Sequence, residues 1–314
     1  MRRVTALFLI AAMGCSAPGQ QETPVTAQKP VVVSLLGAQF FEPAWSPQEK
    51  TVLDSNLYLA KEQFEKDASE ENYIWYARRE GYYLHFDKAI EILNEGIEQY
   101  PNSYRLYRHR GHRLISLRQF DNAIADLEKA AELMKEQPLE IEPDGKPNKL
   151  NIPLSSTQFN VWYHLGLAYY LKGDFAKAEN AYKQCMAVSN NNDLFIATAD
   201  WLYMAFRRQG KTAEAQELLD SVVEGMPIIE NDSYYQRLKL YKGLLKVDDV
   251  LNPDPQSEDF DLALATQGYG VGNWYLYNGD TARAVEIFNK VVAGKHFSSF
   301  GFIAAEAELA RMTQ

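Results

Sequence analysis

Between Gln158 and Asn190 the chain reads QFNVWYHLGLAYYLKGDFAKAENAYKQCMAVSN, and this stretch leaves the backbone little choice. Trp162, Gly166, Tyr169 and Gly173 recur every three to four residues and share one stripe of a helix. Lys172-Gly173-Asp174 interrupts that helix, with glycine at its natural stop. Phe175, Ala178, Tyr182 and Cys185 make the matching stripe of a second helix. Gly166 and Ala178 are small where the two backbones approach, and aromatic rings fill the space on either side. The pattern predicts a helical hairpin.

The hairpin recurs. Phe86-Asp-Lys-Ala89-Ile and Phe120-Asp-Asn-Ala123-Ile lie 34 residues apart, each preceded at one offset by a small residue, Ala77 and Gly111. Ala178, Ala215 and Ala284 occupy the same slot further on. Trp162-x-x-Leu165-Gly166-x-x-Tyr169 with Ala178 resembles the tetratricopeptide signature, with Tyr182 in the place of the usual Phe. The resemblance implies an all-α solenoid, a right-handed superhelix of helical hairpins, with capping helices at both ends. Units are expected near 70–102, 104–136, 159–190, 196–228 and 265–297. Gln137–Thr157, rich in proline, is an insertion between the second and third units. Ser46-Pro47-x-Glu49 opens a capping helix in front, and Phe300 to Met312 closes the array. A lone hairpin buries too little to offset the ordering of its chain, so neighbours must share one core over 46–314.

The first fourteen residues stand apart. Arg2 and Arg3 precede the apolar run Val4 to Met13, too short to span a bilayer, and Gly14-Cys15 follows. The segment resembles a bacterial lipoprotein signal, with Ala12 where Leu is usual. The resemblance implies cleavage before Cys15, a lipid on Cys15, and a cell-envelope location in the outer membrane facing the periplasm. A signal peptide cut near Ala17 is the alternative. Residues 15–45 are expected to be mostly a flexible tether, with Val31 to Leu36 apolar enough to dock. Cys185 then has no partner and reads as a small buried hydrophobe. The formal charge is −10, and loss of Arg2 and Arg3 takes it to −12. That balance excludes nucleic acid as the main partner.

In the tetratricopeptide family the first helix of each unit lines a concave groove. By that implication Tyr163, Tyr170, Trp201 and Tyr269 are anchors for a protein or peptide partner, with Arg208 and Asn273 on the same faces. Arg78, Arg105, Arg108 and His112 are expected to hold an anionic group. The sharpest local feature is Tyr104 to Phe120, which carries Arg105, Arg108, Arg110, Arg113 and Arg118 with His109 and His112 and no acidic residue. Either an anionic partner compensates these charges, or carboxylates such as Glu70, Glu71, Glu80 and Asp126 do so internally. No metal site is expected, since cations would repel the ion and no Cys or carboxylate pair accompanies the histidines. Neither a cofactor motif nor a catalytic signature is present. The expected function is therefore non-catalytic binding of a protein or peptide in the groove. Capture of a small anionic ligand is the alternative, and a hydrolase using His109 or His112 as base is a third reading. The insertion is a candidate cover for the groove. A closed pocket around Arg108 and His112 would favour the small ligand, and an open groove the peptide.

Overall fold

The computed structural model describes residues 29–251 and 260–313, which form fourteen helices and one two-stranded hairpin. The signal segment, Cys15 and most of the acidic loop at 248–261 lie outside the described residues. The hairpin joins β1 (Val32–Val33) to β2 (Gln39–Phe40), with Val32 opposite Phe40. The helices are α1 (Pro47–Lys66), α2 (Glu70–Tyr82), α3 (Phe86–Gln99), α4 (Tyr104–Ser116), α5 (Phe120–Leu133), α6 (Thr157–Lys172) and α7 (Phe175–Ala187). They continue as α8 (Asn192–Arg208), α9 (Thr212–Asp220), α10 (Asp232–Tyr241), α11 (Val247–Val250), α12 (Phe260–Tyr277), α13 (Thr281–Val292) and α14 (Phe300–Met312).

Local chemistry sets the helix ends. Ser46 and Glu49 close a reciprocal cap on α1, and Ser103, Ser156, Asp174, Asn191 and Asp280 each accept a backbone N–H at the start of their helices. Gly173 ends α6 at φ 85°, a left-handed conformation that favours glycine. Consecutive helices pack as antiparallel neighbours: α2 on α3, α4 on α5, α6 on α7, α8 on α9 and α12 on α13. A Cβ on Gly166 would come within 2.7 Å of the Tyr182 ring, so the small residue is what lets α6 and α7 touch.

One continuous apolar cluster runs from Val32 to Leu309. Its extent has a cause that the repeat pattern does not contain. Helix α14 is buried from Gly301 through Leu309, and it packs on α6 as well as on α12 and α13. Two carboxylates enter the core with it. Glu306 pairs with Arg118 at 2.8 Å, while Glu308 meets Arg208 and pairs with Arg311 at 2.7 Å. The β-hairpin covers the same region: Phe40 stacks on Phe297 at 4.8 Å and meets Phe302 edge-on at 5.5 Å. The Leu35 N–H donates to Glu306 Oε1 at 2.6 Å. Docking of the apolar Val31–Leu36 stretch thus extends through Phe40, beyond what a tether implies, because Val32 and Phe40 have a core to enter. The face made by the first helices α6 and α12 is occupied by the chain's own closing helix, which reaches α8 through Glu308 and Arg208.

Candidate anion-binding site

That occupation changes the meaning of the aromatic positions. Tyr170, Trp201, Tyr269 and Asn273 are each at most 1 % exposed. Trp201 stacks on Tyr269 at 5.7 Å and donates Nε1–H to Tyr163 Oη at 2.8 Å, and Asn273 Nδ2 donates to Tyr170 Oη at 2.9 Å. Tyr163 Oη also shares a hydrogen bond of 3.1 Å with Tyr234 Oη. Arg208 is spent on Glu308 and, at 3.3 Å, on Asn273 Oδ1. These six, expected as partner contacts on an open groove, are corrected to interior packing: rings on adjacent helices bury more apolar surface against each other and α14 than against water.

The basic stretch divides instead of acting as one patch. Arg105 pairs with Glu71 and, at 3.6 Å, with Glu140. Arg110 forks onto Asp126 at 2.7 Å, and Arg118 takes Glu306. For Arg105 the expectation of an anion contact is thus corrected to internal pairing. Arg108 pairs with Glu142 of the insertion at 2.8 Å. Arg113 has no carboxylate partner among the described residues, and neither does Arg78 on the neighbouring α2.

Arg78, Arg108 and Arg113 line one cavity of about 230 Å³ with His109, His112 and Tyr82. Helices α2 and α4 make its inner wall. The insertion makes its roof with Glu142, Pro143, Asp144, Gly145 and Lys146, and Asn160 of α6 closes one side. The roof is tied down by hydrogen bonds to its carbonyls: Arg78 Nη1 donates to Pro143 O at 2.9 Å and Arg79 Nη1 to Gly145 O at 3.4 Å. A short antiparallel contact, Glu142 N to Ser155 O at 3.0 Å and Thr157 N to Glu140 O at 2.8 Å, fixes the base of the insertion. Gly145 lies close against that wall: a Cβ would fall on the Tyr82 hydroxyl and 2.8 Å from Arg78 Nη2, so both side-chain ends would have to move to admit one.

Burial, reinforced by Arg108 and Arg113, holds the imidazoles of His109, His112 and His164 well below the usual range. They are neutral at neutral pH. Arg108 Nη1 donates to His109 Nδ1 at 3.0 Å, which leaves the ring proton on Nε2. His164 Nδ1 donates to Asn160 O at 2.6 Å, and its ring lies 4.4 Å from that of His112. Arg113 donates to the His112 ring at 2.9 Å, and burial brings its guanidinium down to about 10. Burial also raises the Asp144 carboxyl. One polar atom of the wall, Arg108 Nε, and one of the roof, Glu142 Oε2, are buried without a hydrogen-bond partner. No group of three or more metal-ligating side chains occurs among the described residues.

Three of the expected residues, Arg78, Arg108 and His112, thus converge on one cavity, and seven do not. Glu142, Asp144 and Gly145 were anticipated only as part of a covering insertion, not as residues of the site. The signal for the roof lay in its composition: an acidic, turn-forming Glu142-Pro143-Asp144-Gly145 beside a helix with four arginines and no acid.

Residues 159–192 match the family model of the tetratricopeptide repeat. A tetratricopeptide repeat protein from Parabacteroides merdae ATCC 43184 superposes with a TM-score of 0.50 at 13 % identity, over 84 % of this chain and 94 % of that one. The fold is an all-α tetratricopeptide solenoid. The solenoid is also similar to YrrB, a TPR protein with an unusual peptide-binding site, at a TM-score of 0.41, 14 % identity and coverage of 80 % and 97 %. No curated protein matches the sequence. Tetratricopeptide solenoids commonly serve as scaffolds for protein or peptide partners and are generally without catalytic machinery of their own.

Proposed function

We propose that this solenoid is a non-catalytic binding protein that captures a small anionic ligand in the roofed cavity between α2, α4 and the insertion. The observation that carries the reading is the pair Arg78 and Arg113, which face one cavity with no carboxylate partner among the described residues. Guanidinium groups without a counter-ion in a partly dry site favour a carboxylate or phosphate. Neutral His109 and His112 add hydrogen-bonding capacity without adding charge. A long peptide in the concave groove is the less supported reading, since α14 and the β-hairpin occupy that face.

The test is calorimetry and thermal melting with succinate, inorganic phosphate and L-glutamate as probes. At least one should stabilise the wild-type chain, by about 2.7 kcal/mol at a hundredfold excess over Kd. The same probe should leave the Arg113→Gln variant unmoved. Equal responses from both chains, or none from either, would remove the proposal.

Anchoring at the cell envelope through a lipid on Cys15 belongs to the same reading. It is supported by Arg2-Arg3, the short apolar run and Gly14-Cys15. Labelled palmitate should enter the wild-type chain and not Cys15→Ser; labelling of both would exclude it.

A further inference from the structure

The cavity is polarised, and its polarity narrows the ligand class beyond that reading, on which this inference rests. The wall from α2 and α4 carries Arg78, Arg108 and Arg113. The roof carries Glu142 and Asp144, with Lys146 beside them. Glu142 gives one oxygen to Arg108 and keeps the other, Oε2, buried and without a partner. Asp144 has no ion-pair or hydrogen-bond partner among the described residues. A ligand carrying only negative charge would answer the arginine wall and press against two carboxylates. A ligand carrying only donors would answer the roof and leave Arg78 and Arg113 unmatched. The volume of about 230 Å³ is smaller than the roughly 300–1,000 Å³ of sites for drug-sized molecules.

We propose that the cavity takes a small zwitterion of the α-amino acid type, its carboxylate on Arg78 and Arg113 and its ammonium on Asp144 and Glu142 Oε2. The ammonium supplies the donor that the roof lacks, and the carboxylate supplies the counter-charge that the helices lack. One ligand thereby removes the two mismatches, because both ends meet groups already fixed in place. The insertion is then the specificity element and the paired helices the affinity element. An acid without an amino group would meet half of the site.

The experiment uses the full chain and calorimetry at neutral pH. Each common L-α-amino acid is titrated singly, and each that binds is compared with the des-amino acid of the same skeleton. The pairs glutamate with glutarate and alanine with propionate are run in every case, with inorganic phosphate as a further probe. An ammonium meeting a carboxylate is expected to favour the amino acid about tenfold or more. The near-isosteric Asp144→Asn should abolish most of that preference by weakening the amino acids, and it should not weaken the des-amino acids, which it relieves of a facing carboxylate. If des-amino acids or phosphate bind as tightly as the amino acids, and Arg113→Gln still removes them, the zwitterion is excluded and the anion site stands. If nothing binds, or binding ignores both substitutions, the zwitterion and the anion site fall together.

Discussion

Gly145 is where the insertion lies close against the solenoid, and a side chain there would displace the ends of Tyr82 and Arg78. Gly145→Ala would set a methyl group on the Tyr82 hydroxyl. Overpacking of this kind costs about 1–3 kcal/mol unless the backbone gives, and a surface insertion can give. The expected outcome is a small loss in the urea midpoint, faster amide exchange over 144–146 and weakened ligand binding. The double variant Gly145→Ala/Tyr82→Leu should recover part of each. At the same scale, His109, His112 and His164 make stability depend on pH. In the unfolded chain an imidazole takes a proton near pH 6.5, whereas the folded protein resists protonation at all three. The unfolded state therefore binds more protons below about pH 6.5, and stability falls as the pH drops. Each group contributes up to about 2 kcal/mol of loss by pH 5. Melting at pH 7.5 and 5.0 should show a shallower decline in His112→Asn and His164→Asn than in the wild type.

At the scale of elements, α14 is held by buried ion pairs as well as by apolar contact. Arg118 and Glu306 are both buried, and Glu306 also accepts from the Leu35 N–H. Arg118→Leu would strand that carboxylate in the core, at a cost of about 3–5 kcal/mol. The variant Arg118→Leu/Glu306→Gln should be less destabilised than Arg118→Leu alone, because a neutral amide is cheaper to bury. Urea denaturation of the two variants checks the order. The reversed order would mean that α14 is held by Phe302, Ile303 and Leu309 and that the ion pair adds little.

The whole molecule departs from the open solenoid in which each unit touches only its neighbours. Such arrays behave as a row of coupled units and can unfold in steps. Here the amino-terminal hairpin, the α4–α5 turn at Arg118 and the closing helix meet in one place. The ends of the array are coupled through that contact, so a single cooperative unfolding transition is expected in calorimetry and circular dichroism. Phe40→Ala combined with Arg118→Leu should uncouple the ends and split the transition. One unchanged transition in that variant would show that the ends are not the source of cooperativity.

The hairpin period, the small slots at Gly111 and Gly166 and the cap at Ser46 are local: spacing and backbone chemistry within a few residues decide them, and all are legible in the chain. The convergence of Arg78, Arg108 and His112 was half legible, since a run of arginines without acids demands a counter-charge somewhere. Glu71 and Asp126 were among the carboxylates named and do pair, whereas Glu142 and Glu306 were not, because they come from the insertion and from the closing helix, far away in the chain. The fate of Tyr170, Trp201 and Tyr269 was equally out of reach. Their periodicity marks a face of a helix, and whether that face meets water or α14 depends on a segment more than thirty residues beyond the last of them. The sequence by itself determined the units and their pairing; only the tertiary structure decided which face is sealed and which arginines remain to bind, because both depend on contacts between distant parts of the chain.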